Sequence, residues 1–391
     1  MNLASYIARY PNVRLAVQAD NERLLDFYSK IQMQGGLFEV RFEKNPDYFH
    51  FLSYESTQRH VGVCENDAGE IEGMFSFSVR PCYLSGKRHH MVYASDLRFL
   101  PRRERKGRFD WKRFAFDLCG DLPTIDEFAG SQHMIVAIIA ANRRARDAMS
   151  SAKAPFENRT IDSYRMVSLL ARKPLRWRRR QEAGIHVTQG REGDRDALSA
   201  FLDAQNRRRM FGYVFEGQGD DNELIRRLHS WEGFSMESFL IARDQAGVIV
   251  GCFAPWDPSL GRRIVLTKVR PVFAALLGVA KRLVPRLPSP GSALKILYLT
   301  TFEVDSSSPQ ATREAVVHAL LKALHKRGDA KQSHVTAICD YDGDSFLPQL
   351  RAHYYLMQTP TLLGQLCRSD APQLPSASAS RGRVGHELCL T

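Results

Sequence analysis

The densest chemistry in the sequence lies between Met91 and Leu118, MVYASDLRFLPRRERKGRFDWKRFAFDL. Arg102, Arg103, Arg105, Lys106 and Arg108 surround a single Gly107. An apolar rhythm at Phe109, Phe114, Phe116 and Leu118 follows and fits a helix. A basic, glycine-containing turn ahead of a helix suits an anion. Backbone N–H groups converge there, the helix dipole is positive at that end, and guanidinium groups add charge. A phosphate-bearing ligand is the natural occupant. Upstream, Met91, Tyr93, Leu97 and Phe99 read as a strand that Pro101 ends, because proline cannot donate to a ladder and biases its predecessor towards extended backbone. Asp96 and Tyr93, on or beside that strand, are the nearest groups able to take a proton, directly or through water.

The elements that must position this stretch are legible on both sides of it. Val13 to Val17 reads as a strand, and Asp20 or Asn21 as the cap of a helix burying Leu24, Leu25, Phe27 and Tyr28. Asn45-Pro46-Asp47 opens another helix. Val61 to Cys64 and Ile71 to Val79 form a hairpin around Asn66-Asp67-Ala68-Gly69. After the basic turn and its helix, Met134 to Ile139 (MIVAII) is apolar throughout, as a fully buried strand must be. A short helix follows Asn142, and Tyr164 to Leu170 closes the unit.

The order β-α-α-β-β-β-α-β-α-β resembles that of the GNAT acyltransferases. In that family a strand runs through a proline and a basic, Gly-rich turn into a helix that cradles the CoA pyrophosphate. Here Gly107 matches the family's turn. Glu104 and Phe109 depart from it, with Arg102 or Arg103 able to take the first role after a small shift. Asn142-x-x-Ala145 is similar to the family's segment after the fifth strand, and Asn142 joins the implied cofactor contacts. Strand backbone at Leu97, Arg98 and Phe99 is implied to grip the pantetheine. Arg102, Arg103, Arg105, Lys106, Gly107 and Arg108 are implied to hold the phosphates. Where the family often carries a tyrosine as general acid stands Met149; Tyr164 and Cys119 are the substitutes at hand.

The second half repeats the pattern. Ile185 to Thr188, two helices from Asp194 and Asp221, a hairpin around Asp244-Gln245-Ala246-Gly247, and the strand Leu294 to Val304 stand in the same order as before. A long helix over Thr312 to Lys326, a strand at His334 to Cys339, a helix at Phe346 to Tyr355 and a last strand at Leu362 to Leu366 complete it. Its turn, Asp305 to Gln310, has neither glycine nor a basic residue, so this copy reads as degenerate. The expected fold is α/β: two tandem GNAT-like domains, each a mixed, mostly antiparallel sheet flanked by helices. The domains span 1–172 and 184–367, with a basic linker at 173–183, an insertion at 257–292 carrying a basic amphipathic helix, and a disordered tail at 368–391.

At 391 residues with 44% hydrophobic content, the chain has room for two cores. Seven scattered cysteines without a CxxC pair give neither a zinc site nor a disulfide framework and read as reduced thiols, and no metal is expected. No apolar run is long enough for a bilayer, so the expected location is cytoplasmic, with a membrane-peripheral position as the alternative. A net charge of +12 favours anionic partners.

The resemblance implies an acyl-CoA-dependent N-acyltransferase, acetyl-CoA or another acyl-CoA being the co-substrate and a primary amine the acceptor. The first copy is active by direct attack, and a bulky residue at Gly107 blocks CoA. Two other readings stand beside it. One is a non-catalytic binding or regulatory protein on the same fold. The other binds nucleic acid or a membrane surface through Arg172–Arg180 and Lys268–Arg286.

Overall fold

The computed structural model describes residues 1–31, 33–35, 38–149, 156–173, 184–269, 289–371, 374 and 383–390. The basic linker and the amphipathic stretch of the insertion fall outside these residues.

The first half opens with α1 (Leu3–Ile7), β1 (Val13–Leu15) and α2 (Asn21–Lys30). A short hairpin, β2 (Met33–Gly35) and β3 (Phe38–Glu43), precedes α3 (Tyr48–Glu55). Asp47 caps α3, accepting from the Phe49 amide at 2.9 Å. Then come β4 (Gln58–Glu65), β5 (Ile71–Leu84), β6 (Lys87–Phe99), α4 (Trp111–Asp121), β7 (Met134–Ile139), α5 (Arg143–Met149) and β8 (Glu157–Arg172).

The second half contains β9 (His186–Gln189), α6 (Arg195–Asn206), β10 (Gly212–Tyr213), α7 (Glu223–Ser230), β11 (Leu240–Arg243), β12 (Ile249–Trp256) and β13 (Arg263–Val269). It continues with β14 (Ala293–Leu294), β15 (Ile296–Val304), α8 (Gln310–Arg327), β16 (Val335–Tyr341), α9 (Leu347–His353) and β17 (Tyr354–Cys367). Helix α8 stops at Gly328, whose φ of +92° supplies the left-handed turn that lets its amide bond back to Leu324.

The two expected sheets are fused into one of thirteen strands, ordered β1-β4-β5-β6-β7-β17-β8-β16-β15-β12-β11-β9, with β10 on β5. Each half therefore lends its last strand to the other. β17 lies antiparallel to β7 from Thr361–Ile139 to Leu366–Met134, and β8 lies antiparallel to β16 from Thr336–Leu169 to Tyr341–Tyr164. The two exchanged strands also pair with each other along their whole length, from Tyr354–Arg172 to Cys367–Glu157. Tyr164–Leu170 thus closes the second half's sheet, not the first's as its place in the sequence suggests. A second sheet, β14-β13-β3-β2, also draws strands from both halves.

The tail corrects a further expectation. Residues 383–390 are not solvated chain. Arg383, Val384, Cys389 and Leu390 are buried, and Val384 bridges to Met210. The Gly385 carbonyl accepts from Arg80 at 2.7 Å, the Cys389 carbonyl from Arg262 at 3.0 Å, and Glu387 pairs with buried Arg227 at 2.6 Å. Pro and Ser set the composition of the stretch before it, but these anchors outweigh the chain entropy of ordering it.

Strand β7 is apolar on both faces because β6 and β17 flank it and helices cover it. A fragment ending at residue 183 would strip β17 from that edge and expose it. It is expected to aggregate or remain unfolded by circular dichroism, whereas the full chain melts as one unit.

Candidate active site

The site is created by one extra residue in β6. Met74 pairs with Arg98, but Ser76 pairs with Ser95, so β6 carries three steps against two on β5. The bulge falls at Asp96, whose φ is +51°, a left-handed conformation rare for a side-chain-bearing residue. Beyond it, β6 no longer follows β7. Their parallel ladder is confined to Val92–Met134 and Tyr93–Ile135.

A cavity of about 780 Å³ opens in the resulting wedge and is lined from both faces of the sheet. On one face Phe75, Phe77, Phe114, Leu118 and Met149 form an apolar wall beneath α4 and α5. On the other, Tyr28, Lys44, Phe51, Glu55 and Arg262 stand against α2 and α3. Leu390, from the tail, also reaches it.

Asp96 is ion-paired. Its carboxylate accepts from Lys44 Nζ at 2.5 Å and from the Tyr48 hydroxyl at 2.7 Å, with Arg98 Nε at 4.0 Å. Burial opposes its ionisation, but Lys44 and Arg98 outweigh that and hold its carboxyl well below the usual range. Lys44 is 1% exposed and lies over the Tyr48 ring at 4.4 Å. Arg98 stacks on Tyr28 at 3.8 Å and donates to the Ile31 carbonyl. A carboxylate held this low is a poor proton acceptor, so Asp96 serves the bulge better than it serves as a base. Tyr93 is likewise unsuited to that role: burial raises its phenol well above the ordinary value, leaving it a hydrogen-bond donor.

Glu55, absent from the sequence reading, has the matching property. It ends the otherwise apolar helix YFHFLSYE, i+4 from Phe51, and both are buried on the same face. Burial raises its pKa to about 7, against the opposing effect of Lys44 and of a 2.5 Å hydrogen bond from Ser78. A lone carboxylate on an apolar helix was the available signal. Lys44 and Arg262 offered none, since only the fold brings them here.

The donor side departs from expectation. The amides of Lys106 and Gly107 donate to the buried carboxylate of Glu72, at 2.7 and 2.8 Å. A Cβ on Gly107 would meet the Glu65 carbonyl and Glu72 at 3.1 Å, so this glycine lies against the β4–β5 turn and not on the cavity. The next helix end is closed too, because Asp110 accepts from the Lys112 and Arg113 amides. The pyrophosphate cradle expected on the Gly107 turn is thus already filled by carboxylates. Arg103 pairs with Glu104 at the surface, Arg108 is exposed, and only the backbone of Arg102 is described.

Of the implied cofactor contacts, Leu97, Arg98, Phe99, Arg105 and Asn142 do line the cavity. Asn142 caps α5 by accepting from the Ala145 amide at 3.1 Å. Arg143 and Arg144 stand with Arg105 at the mouth, and the buried Nε of Arg105 has no partner. Neither Tyr164 nor Cys119 is among the lining residues. No group of three or more His, Cys, Asp or Glu among the described residues is arranged to hold a metal, and no described helix is long and apolar enough to cross a membrane.

The second copy repeats the bulge. Cys252 pairs with Glu303 and Ala254 with Thr300, and Thr301 takes a φ of +51°. Its wedge, however, holds only about 40 Å³. Glu387 accepts from the Thr301 amide at 3.0 Å, and Arg227 donates to both Thr301 and Glu387. Residues of the tail occupy the slot. In its turn Asp305 accepts from the Ser307 amide and the Ser308 hydroxyl, so the serines close the turn on Asp305 and do not cap α8, which starts after Pro309 without a side-chain cap.

A bulged strand splayed from its parallel neighbour occurs twice in one mixed sheet, and the chain has a GNAT-like fold. Solved structures agree. Saccharomyces cerevisiae N-myristoyltransferase with bound myristoyl-CoA matches 98% of this chain and 92% of its own at 11% identity and a TM-score of 0.54. A GCN5-related N-acetyltransferase from Sphaerobacter thermophilus matches 90% and 94% at 12% identity and 0.50. A glucosamine N-acetyltransferase region in a fungal multi-domain β-N-acetylglucosaminidase matches 90% of this chain at 13% identity and 0.52, the match spanning 38% of that longer protein. No protein-family model and no curated protein matches the sequence.

Two outcomes follow. Lys44→Met or Asp96→Asn strands a buried partner and should cost about 3–5 kcal/mol in urea unfolding. The pH dependences of the two acids have opposite sign. Asp96, with its folded pKa depressed, stabilises above the ordinary carboxylate range and loses that as pH falls. Glu55, with its folded pKa raised, contributes fully below about 4.5 and loses that as pH rises through about 7. Glu55→Gln should flatten that upper decline.

Proposed function

We propose that the chain is an acyl-CoA-dependent N-acyltransferase working in the first copy's cavity. The observation that carries this is a single opening through the sheet beside the Asp96 bulge, apolar on one face and bearing Glu55 on the other. The donor enters from the side of Arg105, Arg143 and Arg144, whose guanidinium groups replace the occupied turn amides as phosphate anchors. Strand backbone just beyond the bulge, splayed from β7, holds the pantetheine and polarises the thioester carbonyl. The acceptor amine approaches from the α2–α3 face. Glu55 takes its proton as the new N–C bond forms, and Tyr93 donates towards the sulfur as the C–S bond breaks.

The apolar wall supports an acyl chain longer than acetyl. Phe75, Phe77, Phe114, Leu118 and Met149 offer far more surface than one methyl group covers. The occupied turn amides, with Met149 in place of the usual tyrosine, favour the non-catalytic binding reading as the second possibility.

Calorimetry across acyl-CoA chain lengths separates the readings. Affinity should rise about fourfold per added methylene, from roughly 0.8 kcal/mol each, until the wall is covered. Met149→Trp should shorten the preferred chain, and Arg105→Glu should weaken every donor about tenfold or more. A flat series, or no binding, refutes the donor site. Thiol release should follow a pH limb rising through about 7. Glu55→Gln should remove the limb and about 100-fold or more of the rate; binding without any thiol release with any amine selects the second reading.

A further inference from the structure

Strand β5 runs through Phe75-Ser76-Phe77-Ser78, and all four residues are buried. The phenylalanines pack with Phe114 and Leu118 in the apolar wall, so the alternating serines belong to the opposite face of the sheet. A serine in a fully buried strand needs a hydrogen-bond partner for its hydroxyl. Ser76 shares a bond with the Ser95 hydroxyl at 3.0 Å, whereas Ser78 donates to Glu55 Oε2 at 2.5 Å.

Glu55 reaches the cavity from a helix, and Ser78 is the sheet residue that bonds it. Lys44, Arg262 and Asp96 act on the same carboxyl through their charges, the first two favouring its ionisation and Asp96 opposing it. Ser78 also stands opposite Tyr93 in the β5–β6 ladder, which makes their side chains neighbours on one face. One small polar residue thus lies between the group assigned as base and the group assigned as acid.

Resting on the acyl-CoA reading above, we propose that Ser78 is a positioning residue of the reaction: its hydroxyl holds one oxygen of Glu55 and leaves the other to the acceptor amine, beside Tyr93. The bond also favours the ionised carboxylate, the form that can take a proton. Glu55 gains the amine proton on its other oxygen, so the Ser78 bond survives the step.

The test follows Glu55 and the reaction separately in the full chain. Glutamate carboxyls are labelled with carbon-13, the Glu55 signal is assigned by Glu55→Gln, and its midpoint is read by NMR, expected at about 7. Ser78→Ala should raise that midpoint by about one pH unit, and Ser78→Thr should restore it. Thiol release from dodecanoyl-CoA is measured with the fastest of phenylalanine, benzylamine, glucosamine and spermidine. In Ser78→Ala, kcat should fall about fivefold at pH 7 and recover near pH 9, with the KM for dodecanoyl-CoA unchanged. A residue that merely packs would move neither the midpoint nor the rate limb. An unmoved midpoint overturns the Ser78 proposal and leaves the acyl-CoA reading standing. A moved midpoint with an unmoved limb also overturns it, because Glu55 is then not the titrating base. Absence of thiol release with every amine overturns both readings. Should Ser78→Ala not fold, Ser78→Cys decides, since a thiol is a weaker donor and the midpoint should still rise.

Discussion

The buried pair of Lys44 and Asp96 is the constraint on which the first copy depends. Asp96 sits in left-handed backbone, which costs a residue with a Cβ on the order of 1 kcal/mol or more. Lys44, Tyr48 and the Arg98 side chain fix its carboxylate from three sides and keep it there. With the bulge held, β6 leaves β7 after two paired residues and the sheet opens. A cavity through a sheet is otherwise difficult to build, because a continuous ladder closes it. An ion pair that would contribute little net stability at a surface here specifies a shape.

The same device in the second copy is resolved differently. Thr301 repeats the bulge, but Glu387 accepts from its amide and Arg227 neutralises the acid. The slot that holds a cavity in one copy is closed by the chain's own tail in the other. Strand exchange makes the halves interdependent. β17 covers the edge of β7 on the first copy's wedge, and Leu366 of that strand helps line the cavity. The second half thus contributes to the first half's site through a strand, through Arg262 and through Leu390.

The basic turn illustrates how a motif and its environment can part company. Glycine, arginines and a helix start are all present, yet Glu72 from β5 takes the amides that an anion would use, and Asp110 takes those of the helix. Arginine side chains line the cavity from elsewhere in the chain, Arg143 and Arg144 at the start of α5. A carboxylate 35 residues upstream decides the matter, and no local pattern encodes it.

By itself the sequence determined what is local. Alternating and continuous apolar runs marked the strands β4 to β7, β11, β12, β15 and β16, whereas β13 lies in a stretch the sequence reads as an insertion. Asp47 and Asn142 marked helix starts by side chains able to cap them, Asp221 stands one residue before Asn222, which makes the cap, and the order of elements pointed to the GNAT-like fold. These follow from hydrogen-bond geometry and side-chain periodicity within about twenty residues. The tertiary structure alone decided which strand closes each half, since β8 and β17 are both apolar enough for either sheet. It brought Lys44, Glu55, Asp96 and Arg262 to one cavity from four separate stretches of chain, and it turned a polar tail into part of the core. Burial and charge compensation are properties of surroundings assembled from distant residues. They set which carboxylate is a fixed counter-ion and which is poised to take a proton.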